Sequence, residues 1–418
     1  MEELKENNIE ETLNIITTGC VHGNLDKMYN DIEEYSKKNK KKIDLVLCTG
    51  DFESMRTEND LTFLSCPEKY REMGDFHKYF TLKSKAPYLT IFIGGNHEAS
   101  NFLEQNYYGG WVAQNIYYLG RSGVINVKGI RIGGFSGIFN KYDYFRGNYE
   151  KNERDIRGDK KSIFHLREFE VCKMSHVKNK IDIFMTHDWP TNIISDEDKP
   201  GIIKLFSHNK DDIENGLIGS FPGEFILKHL KPIYFICGHM HFYYSNKVDN
   251  TQIFAFDKCL KKRKYFDLIE VKKSITSMDI KSNDIYIEPE WMAITNVFNE
   301  YNPSSYENYS FYKLFEENSK ELYSKLVLNK MKCYFKYNMN IDDLEQTINN
   351  LLINKFTKRE KIKEEFENQT ELLLSIFDIN KEDNHHYLSY MYLEFKYNKK
   401  KGKNNKKIKN PDEIDFEI

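Results

Sequence analysis

Short apolar runs that end in glycine or polar residues recur along the chain as far as residue 271. These runs are rich in residues that favour extended structure. They predict strands at residues 13–17, 44–48, 88–93, 181–186, 233–237, 252–256 and 265–271. Residues 125–132 predict a hairpin with Gly129 in its turn. An amphipathic helix is predicted by apolar residues at spacings of three and four, namely Leu25, Met28, Ile32 and Tyr35. The pattern favours an α/β (α+β layered) fold, a β-sandwich of two sheets flanked by helices.

Beyond Tyr306 the apolar spacing changes to the period of a helix. This spacing is seen at Ile341, Leu344, Ile348, Leu351 and Leu352, and again at residues 371–377. A C-terminal extension that is mostly helical is therefore predicted. Residues 399–409 contain seven lysines and are followed by acidic residues. Such a run is usually a solvated tail, and the alternatives are a nuclear-import segment or an RNA-contacting segment.

Between Phe135 and Phe169 neither the period of a strand nor that of a helix continues. Aromatic and basic residues interleave there, namely Phe139, Tyr142, Tyr144, Phe145, Tyr149, Arg146, Lys151, Arg154, Arg157, Lys160 and Lys161. Long irregular segments in compact domains are usually functional or disordered. Rings and cations together suit the unstacked bases and phosphates of single-stranded nucleic acid. A solvated, mobile loop whose rings pack on the scaffold explains the pattern equally well.

Composition narrows the class of protein. A chain of 418 residues can form one large domain with an appendage. Its net charge of −3 argues against a globally basic nucleic-acid coat. Seven cysteines without a CxxC pair, and a charged start at residues 1–11, indicate a reduced intracellular compartment. No window approaches the roughly 18 apolar residues of a membrane span, so a soluble protein is expected.

Side chains that can bind metals follow the predicted strand ends, and most lie next to a glycine. They are Cys20, His22, Asp51, Asn96, His97, His187, His239 and His241. A carboxylate placed like Asp51 can bridge two cations about 3.5 to 4 Å apart. Taken alone, Asp51 is explained equally well as the cap of a turn, and a lone His or Cys is more often structural. Five such clusters in one chain make coincidence a poor explanation and indicate a metal site.

The order CxH, GD, GNHE, H and GHxH resembles the calcineurin-like metallophosphoesterases. Within that superfamily, segments such as GCVHGNLDKMY, CTGDFESMR, APYLTIFIGGNHEASN and IEPEWMAI resemble the RNA lariat debranching enzymes, from about residue 14 to 298. The resemblance implies hydrolysis of the 2′,5′-phosphodiester bond at the branch point of excised intron lariats, by attack of a metal-activated hydroxide. It thereby implies a place in intron turnover after RNA splicing.

The resemblance also implies roles for the strand-end residues. Asp51 corresponds to a carboxylate that bridges two metals. The other ligands of one metal correspond to Asn96, His187 and His239. His22 and His241 correspond to ligands of the other metal, with the Cys20 thiolate beside it. His97 corresponds to the general acid, and the catalytic set is His97, Asp51 and Asn96.

The irregular insert, at about residues 137–167, occupies the position of a family loop that grips branched RNA. The candidate RNA contacts implied by the resemblance are Glu98, Ser100, Tyr144, Arg146, His165 and Arg167. The ends of the insert match the family, whereas its middle is specific to this chain.

Cys20 stands where most of the superfamily carries Asp. A soft thiolate shifts metal preference from Mg²⁺ toward Zn²⁺ or Fe²⁺. A two-metal centre of Zn²⁺, Fe²⁺ or both is therefore predicted, with Mn²⁺ as a substitute. The alternative is that Cys20 is a small buried hydrophobe that leaves the first metal weakly held.

Three regions are predicted: a metallophosphoesterase catalytic domain at 1–275, a largely helical debranching-enzyme domain at 276–396 and a flexible Lys-rich tail at 397–418. The expected partner is branched RNA, with no membrane and no obligate protein partner, for a monomer in the nucleus or also in the cytoplasm. Two rival functions stay open. One is a metal-dependent phosphodiesterase or nuclease with a different substrate, and the other is a binding module that holds no metal.

Overall fold

Two β-sheets lie face to face at the centre of the structure, a computed structural model that describes residues 12–150, 161–273, 285–299, 301 and 325. The strands are β1 (Thr12–Thr18), β2 (Leu45–Cys48), β3 (Thr90–Phe92), β4 (Gly110–Ala113), β5 (Ile116–Tyr118), β6 (Ser122–Val127), β7 (Ile130–Phe135), β8 (Ile138–Phe139), β9 (His165–Leu166), β10 (Ile183–Met185), β11 (Tyr234–Cys237), β12 (Tyr244–Val248), β13 (Thr251–Ala255), β14 (Phe266–Lys272) and β15 (Ile285–Ile287). The helices are α1 (Leu25–Asn39), α2 (Phe76–Phe80), α3 (Ser100–Gln105), α4 (Glu168–Ser175), α5 (Lys199–Leu205), α6 (Lys210–Glu214), α7 (Phe221–Leu230) and α8 (Pro289–Asn299).

Parallel strands form the centre of each sheet. The first sheet has the order β14-β1-β2-β3-β5-β4, in which β1, β2, β3 and β5 are parallel. The second has the order β12-β13-β11-β10-β7-β6-β15, in which β13, β11, β10 and β7 are parallel. Antiparallel strands lie at the edges of both sheets. In open sheets of this kind, ligands bind beyond the carboxyl ends of the parallel strands.

The apolar residues pack the protein into four layers: helix, first sheet, second sheet and helices. Aliphatic side chains from both sheets fill the space between them, including Ile15, Leu47, Ile91, Ile132, Ile183 and Ile236. Helix α1 buries Leu25, Met28 and Ile32 against the outer face of the first sheet. Helices α4, α7 and α8 cover the second sheet. Each fully buried side chain of this size contributes about 1.5 to 3 kcal/mol. The predicted sandwich of two sheets flanked by helices is confirmed.

The insert has more regular structure than its irregular pattern predicts. Strands β8 and β9 form a separate parallel pair, and a single 3-10 turn spans Ser162–Phe164. Elements of two or three residues are too short to show a period, so the sequence does not reveal them. The predicted hairpin is confirmed, since β6 and β7 pair antiparallel and Gly129 takes a φ of 84° in the turn. Lys151, Arg154, Arg157 and Lys160 lie outside the described residues.

Residues 285–299 are part of the second sheet and its helical cover. Strand β15 pairs with β6, and α8 buries Trp291 and Phe298 in the cluster beneath α4. Arg131 lies 3.2 Å from a carboxylate oxygen of Glu288 and of Glu290, which fastens this segment to β7. The helical spacing beyond Tyr306 and the lysine run at 399–409 fall outside the described residues, and the division at 275 stays a prediction.

None of the helices in the described ranges has both the length and the apolar character that crossing a membrane requires.

Candidate metal centre

Five loops meet at one edge of the sandwich. Each follows the carboxyl end of a parallel strand: β1, β2 and β3 in the first sheet, β10 and β11 in the second. The Nδ1 atom of His187, after β10, lies 2.7 Å from the carbonyl oxygen of Thr49, after β2, which ties the two sheets together. The residues predicted as ligands are therefore brought to one place by the topology.

Cys20, His22, Asp51 and His241 form the tighter group. One donor atom from each residue lies within 4.8 Å of the others. His22 Nε2 is 3.1 Å from His241 Nε2 and 3.5 Å from Asp51 Oδ2. A thiol, two imidazoles and a carboxylate make up a donor set that suits zinc or ferrous iron better than magnesium.

Asp51, Asn96, His187 and His239 lie on the other side of the same carboxylate. His187 Nε2 is 3.3 Å from Asp51 Oδ1 and 3.1 Å from the Asn96 amide oxygen. The ring centroid of His239 is 5.0 Å from that of His187. The two Asp51 oxygens thus face different groups of donors, which is the arrangement that a bridging carboxylate needs.

The Asp51 carboxylate supplies a test of whether cations fit here. Its Oδ1 accepts a hydrogen bond of 2.8 Å from the His97 backbone N–H. Its Oδ2 is buried and has no hydrogen-bond partner. A buried carboxylate oxygen without a partner is costly, and a cation would satisfy it. The residues present therefore fit a site for divalent metals.

The backbone at this edge is held in a conformation that side chains rarely adopt. The φ angles of His22, Asp51, His239 and His241 are 47°, 46°, 65° and 49°. Each left-handed residue other than glycine costs of order 1 to 3 kcal/mol, and such residues cluster at functional sites. Gly95 is required as well, because a Cβ there would lie 2.2 Å from Asp51 Oδ1.

Electrostatics keeps three of the donors, Asp51, His239 and His241, in the form that coordinates metals. Burial alone would raise the pKa of Asp51, but the neighbouring His187 holds it well below its usual range. Burial lowers the pKa of His239 to about 3 with the help of His187, and that of His241 to about 2 with the help of His22. Both imidazoles are therefore neutral at pH 7, the form that binds metals.

Cys20, His22 and His187 differ, because a metal would have to displace a proton from each. Burial raises the pKa of Cys20. Burial alone would lower the pKa of His22 and of His187, but Glu53 and Asp51 raise that of His22, and Asp51 raises that of His187 to about 9.

His97 lies at the mouth of the same cluster. Its ring centroid is 5.5 Å from that of His22, and its side chain is half-buried. Burial lowers the pKa of His97, while the negative charge of Asp51 opposes that shift. An imidazole beside the ligands with a reduced pKa is a stronger acid once it is protonated.

Two further carboxylates belong to the site and were not predicted from the sequence. Glu53 Oε1 lies 3.1 Å from His22 Nδ1, on the side of the ring away from His241. Asp188 Oδ1 lies 3.6 Å from His239 Nε2. The Glu53 carboxylate hydrogen-bonds the His22 ring, and such a carboxylate fixes the orientation of a ligating histidine and strengthens it as a ligand. Asp188 approaches His239 without a hydrogen bond between these two side chains. Their places in the sequence could have indicated them, since Glu53 comes two residues after Asp51 and Asp188 directly follows His187.

Glu98 and Ser100, predicted as RNA contacts, are buried. Both Glu98 oxygens accept backbone hydrogen bonds, from Phe52 at 2.8 Å, Glu53 at 2.9 Å and Gly95 at 3.1 Å. Glu98 therefore braces the loop after β2 against the loop after β3. Ser100 begins α3, and its hydroxyl is buried without a hydrogen-bond partner. Contact of either residue with RNA stays a prediction.

The other four predicted RNA contacts belong to a network at the two ends of the insert, around Asp143. His165 Nδ1 is 2.6 Å from Asp143 Oδ2, and Arg146 donates to Asp143 Oδ1 at 2.9 Å. Arg167 donates to Glu150 Oε1 at 2.7 Å and to the Asp143 carbonyl at 3.1 Å. Tyr144, His165 and Arg167 are buried and Arg146 is half-buried. These contacts hold the ends of the insert together, and contact with RNA stays a prediction.

The chain is similar to known protein families in two successive segments. Residues 13–243 match the family model for calcineurin-like phosphoesterases, and residues 248–382 match the model for the C-terminal domain of lariat debranching enzyme. The lariat debranching enzyme of Arabidopsis thaliana is 38% identical over 331 residues, which cover 77% of each chain. The human enzyme is 40% identical over 296 residues, which cover 68% of this chain and 53% of the human one.

The chicken lariat debranching enzyme is 39% identical and is covered over 55% of its length, so the chain spans about half the length of these two animal relatives. Among solved structures, TT1561 of Thermus thermophilus is 11% identical, and the match covers 63% of this chain and 100% of that one, at a TM-score of 0.39.

Proposed function

The chain belongs to the lariat debranching enzymes, a family of calcineurin-like phosphoesterases, and we propose that it hydrolyses the 2′,5′-phosphodiester bond at the branch of lariat RNA. The products are a linear RNA with a free 2′-OH and a 5′ phosphate. The proposal rests on one observation: the two carboxylate oxygens of Asp51 face separate groups of metal-binding side chains.

The residues divide between two cations. Cys20, His22, Asp51 and His241 would hold one, and Asp51, Asn96, His187 and His239 the other. Divalent metals in such a pair supply neutralisation of the phosphate and an acidified attacking water. We propose Zn²⁺ or Fe²⁺ at the Cys20 side, with Mn²⁺ as a substitute.

His97 is proposed as the proton donor to the leaving 2′ oxygen. An alkoxide leaves with difficulty, and a positioned acid typically contributes about 10²- to 10⁴-fold. The His97 backbone N–H donates a hydrogen bond to Asp51 Oδ1, which holds the His97 backbone next to the bridging carboxylate. Burial lowers the pKa of His97, which makes its protonated form a stronger acid, and the charge of a bound phosphate would favour that form.

The deciding experiment offers the purified protein a branched RNA and a linear 3′,5′ oligomer of the same composition. Cleavage at the branch with little cleavage of the linear RNA is expected. Preference for the linear RNA would contradict the proposal and favour a nuclease of different specificity.

Metal analysis of the same preparations tests the rival of a binding module that holds no metal. His22→Ala and His239→Ala should each lower metal content and abolish cleavage. His208→Ala, which removes an exposed histidine from the turn Ser207–Asn209, is the matched control and should change neither. Equal metal content in the wild type and all three variants would show that His22 and His239 are not metal ligands.

Cys20→Ala separates the two roles open to the thiol. If the thiolate is a ligand, occupancy by Zn²⁺ or Fe²⁺ falls to about one metal per chain. If Cys20 only fills space, occupancy stays at the wild-type level.

We further propose that the protein acts as a monomer in the nucleus, with the lysines at 399–409 as the import segment. Deleting that segment and following cellular location and branched-RNA affinity separately distinguishes an import role from an RNA-contacting role.

A further inference from the structure

Two phenylalanine rings are exposed where α7 packs against the insert. Phe221, the first residue of α7, is 47% exposed, and Phe145, in the insert, is 41% exposed. The ring of Tyr144, which is buried, has its centroid 5.1 Å from that of Phe221 and 5.0 Å from that of Phe145. Phe139 completes the group, with its ring 4.6 Å from that of Phe221. Phe139, Tyr144, Phe145 and Phe221 are named the aromatic ledge.

Two contacts connect the aromatic ledge to the metal centre. The backbone N–H of Phe139 donates to Asp188 Oδ2 at 2.6 Å. The other oxygen of Asp188, Oδ1, lies 3.6 Å from His239 Nε2. A phosphodiester held by the ligand residues would therefore place an adjoining nucleotide close to the ledge.

Backbone hydrogen bonds hold Tyr144 of the aromatic ledge in place, and a lysine lies nearby in the sequence. The Tyr144 carbonyl accepts a hydrogen bond of 2.7 Å from the Glu168 N–H, and the Tyr144 N–H donates to the Asn140 carbonyl at 2.9 Å. Exposed Lys141 has its Nζ 5.0 Å from the ring centroid of Tyr142, which is itself 67% exposed. Clustered exposed rings mark interaction surfaces, and a cation beside them complements a polyanion that carries bases.

We propose that the aromatic ledge stacks a nucleobase next to the scissile phosphate of branched RNA, with Phe221 and Phe145 in contact with the base and Phe139 and Tyr144 as positioning residues. This inference rests on the proposed function. Stacking of one base on an aromatic side chain changes affinity by roughly 5- to 150-fold. Because Phe221 comes from α7, part of the proposed base-stacking surface lies outside the insert.

The test compares two substrates of the full chain loaded with metal: a branched RNA, and the same molecule with abasic residues flanking the branch. Phe221→Ala and Phe145→Ala should each raise KM for the base-bearing RNA by roughly 5-fold or more, with kcat unchanged. Neither should alter KM for the abasic RNA, since no base is left to stack. Phe221→Trp should restore the wild-type KM, whereas Phe221→Leu, which keeps an apolar side chain without a ring, should not.

Phe225→Ala is the matched control on the same helix. Phe225 is 38% exposed one turn further along α7, and its ring stacks on His229 at 5.5 Å. KM for the base-bearing RNA should stay at the wild-type value in this variant, and thermal unfolding should confirm that all variants are folded.

An unchanged KM in Phe221→Ala and Phe145→Ala, or an equal rise on both substrates, overturns the stacking role. Unchanged KM would instead indicate a surface for a protein partner. Failure of the wild-type protein to cleave branched RNA removes the proposed function and the ledge with it. Cleavage by the wild type with unaffected variants removes the ledge alone.

Discussion

At the strand ends, donor atoms of Cys20, His22, Asp51 and His241 crowd within 4.8 Å, while Asp51 Oδ2 stays buried without a hydrogen bond. At the ends of the insert, the buried charged side chains have oppositely charged partners. Arg167 pairs with Glu150 at 2.7 Å, and Asp143 pairs with Arg146 at 2.9 Å.

This difference indicates that the strand-end cluster needs a bound ligand, whereas the paired charges at the ends of the insert need none. A buried carboxylate oxygen without a hydrogen bond costs free energy, and a bound cation would satisfy it. Buried charges that are paired and hydrogen-bonded hold a conformation, and losing one partner is what becomes costly. The strand-end cluster is therefore suited to binding, and the network at the insert is suited to keeping a shape.

Asp51→Asn should have the largest effect. Activity on branched RNA should fall by roughly 10³-fold, because the neutral amide cannot neutralise two cations. Metal content should fall in parallel when measured on the purified protein. Asp196→Asn, which changes an exposed aspartate paired with Lys199, is the control and should leave both quantities unchanged. Full activity in Asp51→Asn would mean that Asp51 bridges nothing.

Arg167→Met should act on stability instead. Removing the guanidinium leaves Glu150 and Asp143 buried with less compensation, which should lower the free energy of unfolding by about 3 to 5 kcal/mol. Urea denaturation measures this, and the metal content of the folded protein should not change. The exposed pair Lys37 and Glu33 gives the contrast, since Lys37→Ala should leave the free energy of unfolding nearly unchanged. Unchanged stability with weaker RNA binding would instead support Arg167 as an RNA contact.

Glu53→Gln should weaken metal binding while the fold stays intact. The amide can still approach His22 Nδ1, but it lacks the charge that strengthens the imidazole as a ligand, so affinity should fall by about 10- to 100-fold. Competition with a chelator measures the change. Glu270→Gln, an exposed glutamate paired with Lys41, is the control. Equal affinity in both variants would show that Glu53 does not act through His22.

Glu98→Gln should have the smallest effect, about 1 to 3 kcal/mol in the free energy of unfolding. The amide nitrogen would face a backbone N–H where a carboxylate oxygen now accepts one, so a donor is left unsatisfied. Glu68→Gln, on a side chain that is 91% exposed, should be neutral. If Glu98→Gln left stability unchanged and weakened RNA binding, contact with RNA would be the better explanation.

Local pattern could single out the strand-end side chains as candidates because each part of the signal is short in range. An apolar run, a glycine and a polar side chain lie within about ten residues of one another, as at Ile93, Gly95 and Asn96. Glu53 and Asp188 were not predicted as part of the site, because a single carboxylate after a strand is typical of a turn. The burial of Arg167 could not be predicted, because a basic residue in an irregular segment is usually exposed and its partner Glu150 lies seventeen positions away.

The sequence by itself determined the alternation of strands and helices, the family and the set of side chains able to bind metal. Those properties depend on residue type and on spacing along a few neighbouring positions. The tertiary structure decided which oxygen of Asp51 faces which histidines, which charges are paired in the interior, and that a phenylalanine from α7 lies against rings of the insert. Such contacts join positions far apart in the chain, and they arise only when the two sheets pack and bring their strand ends to a common edge.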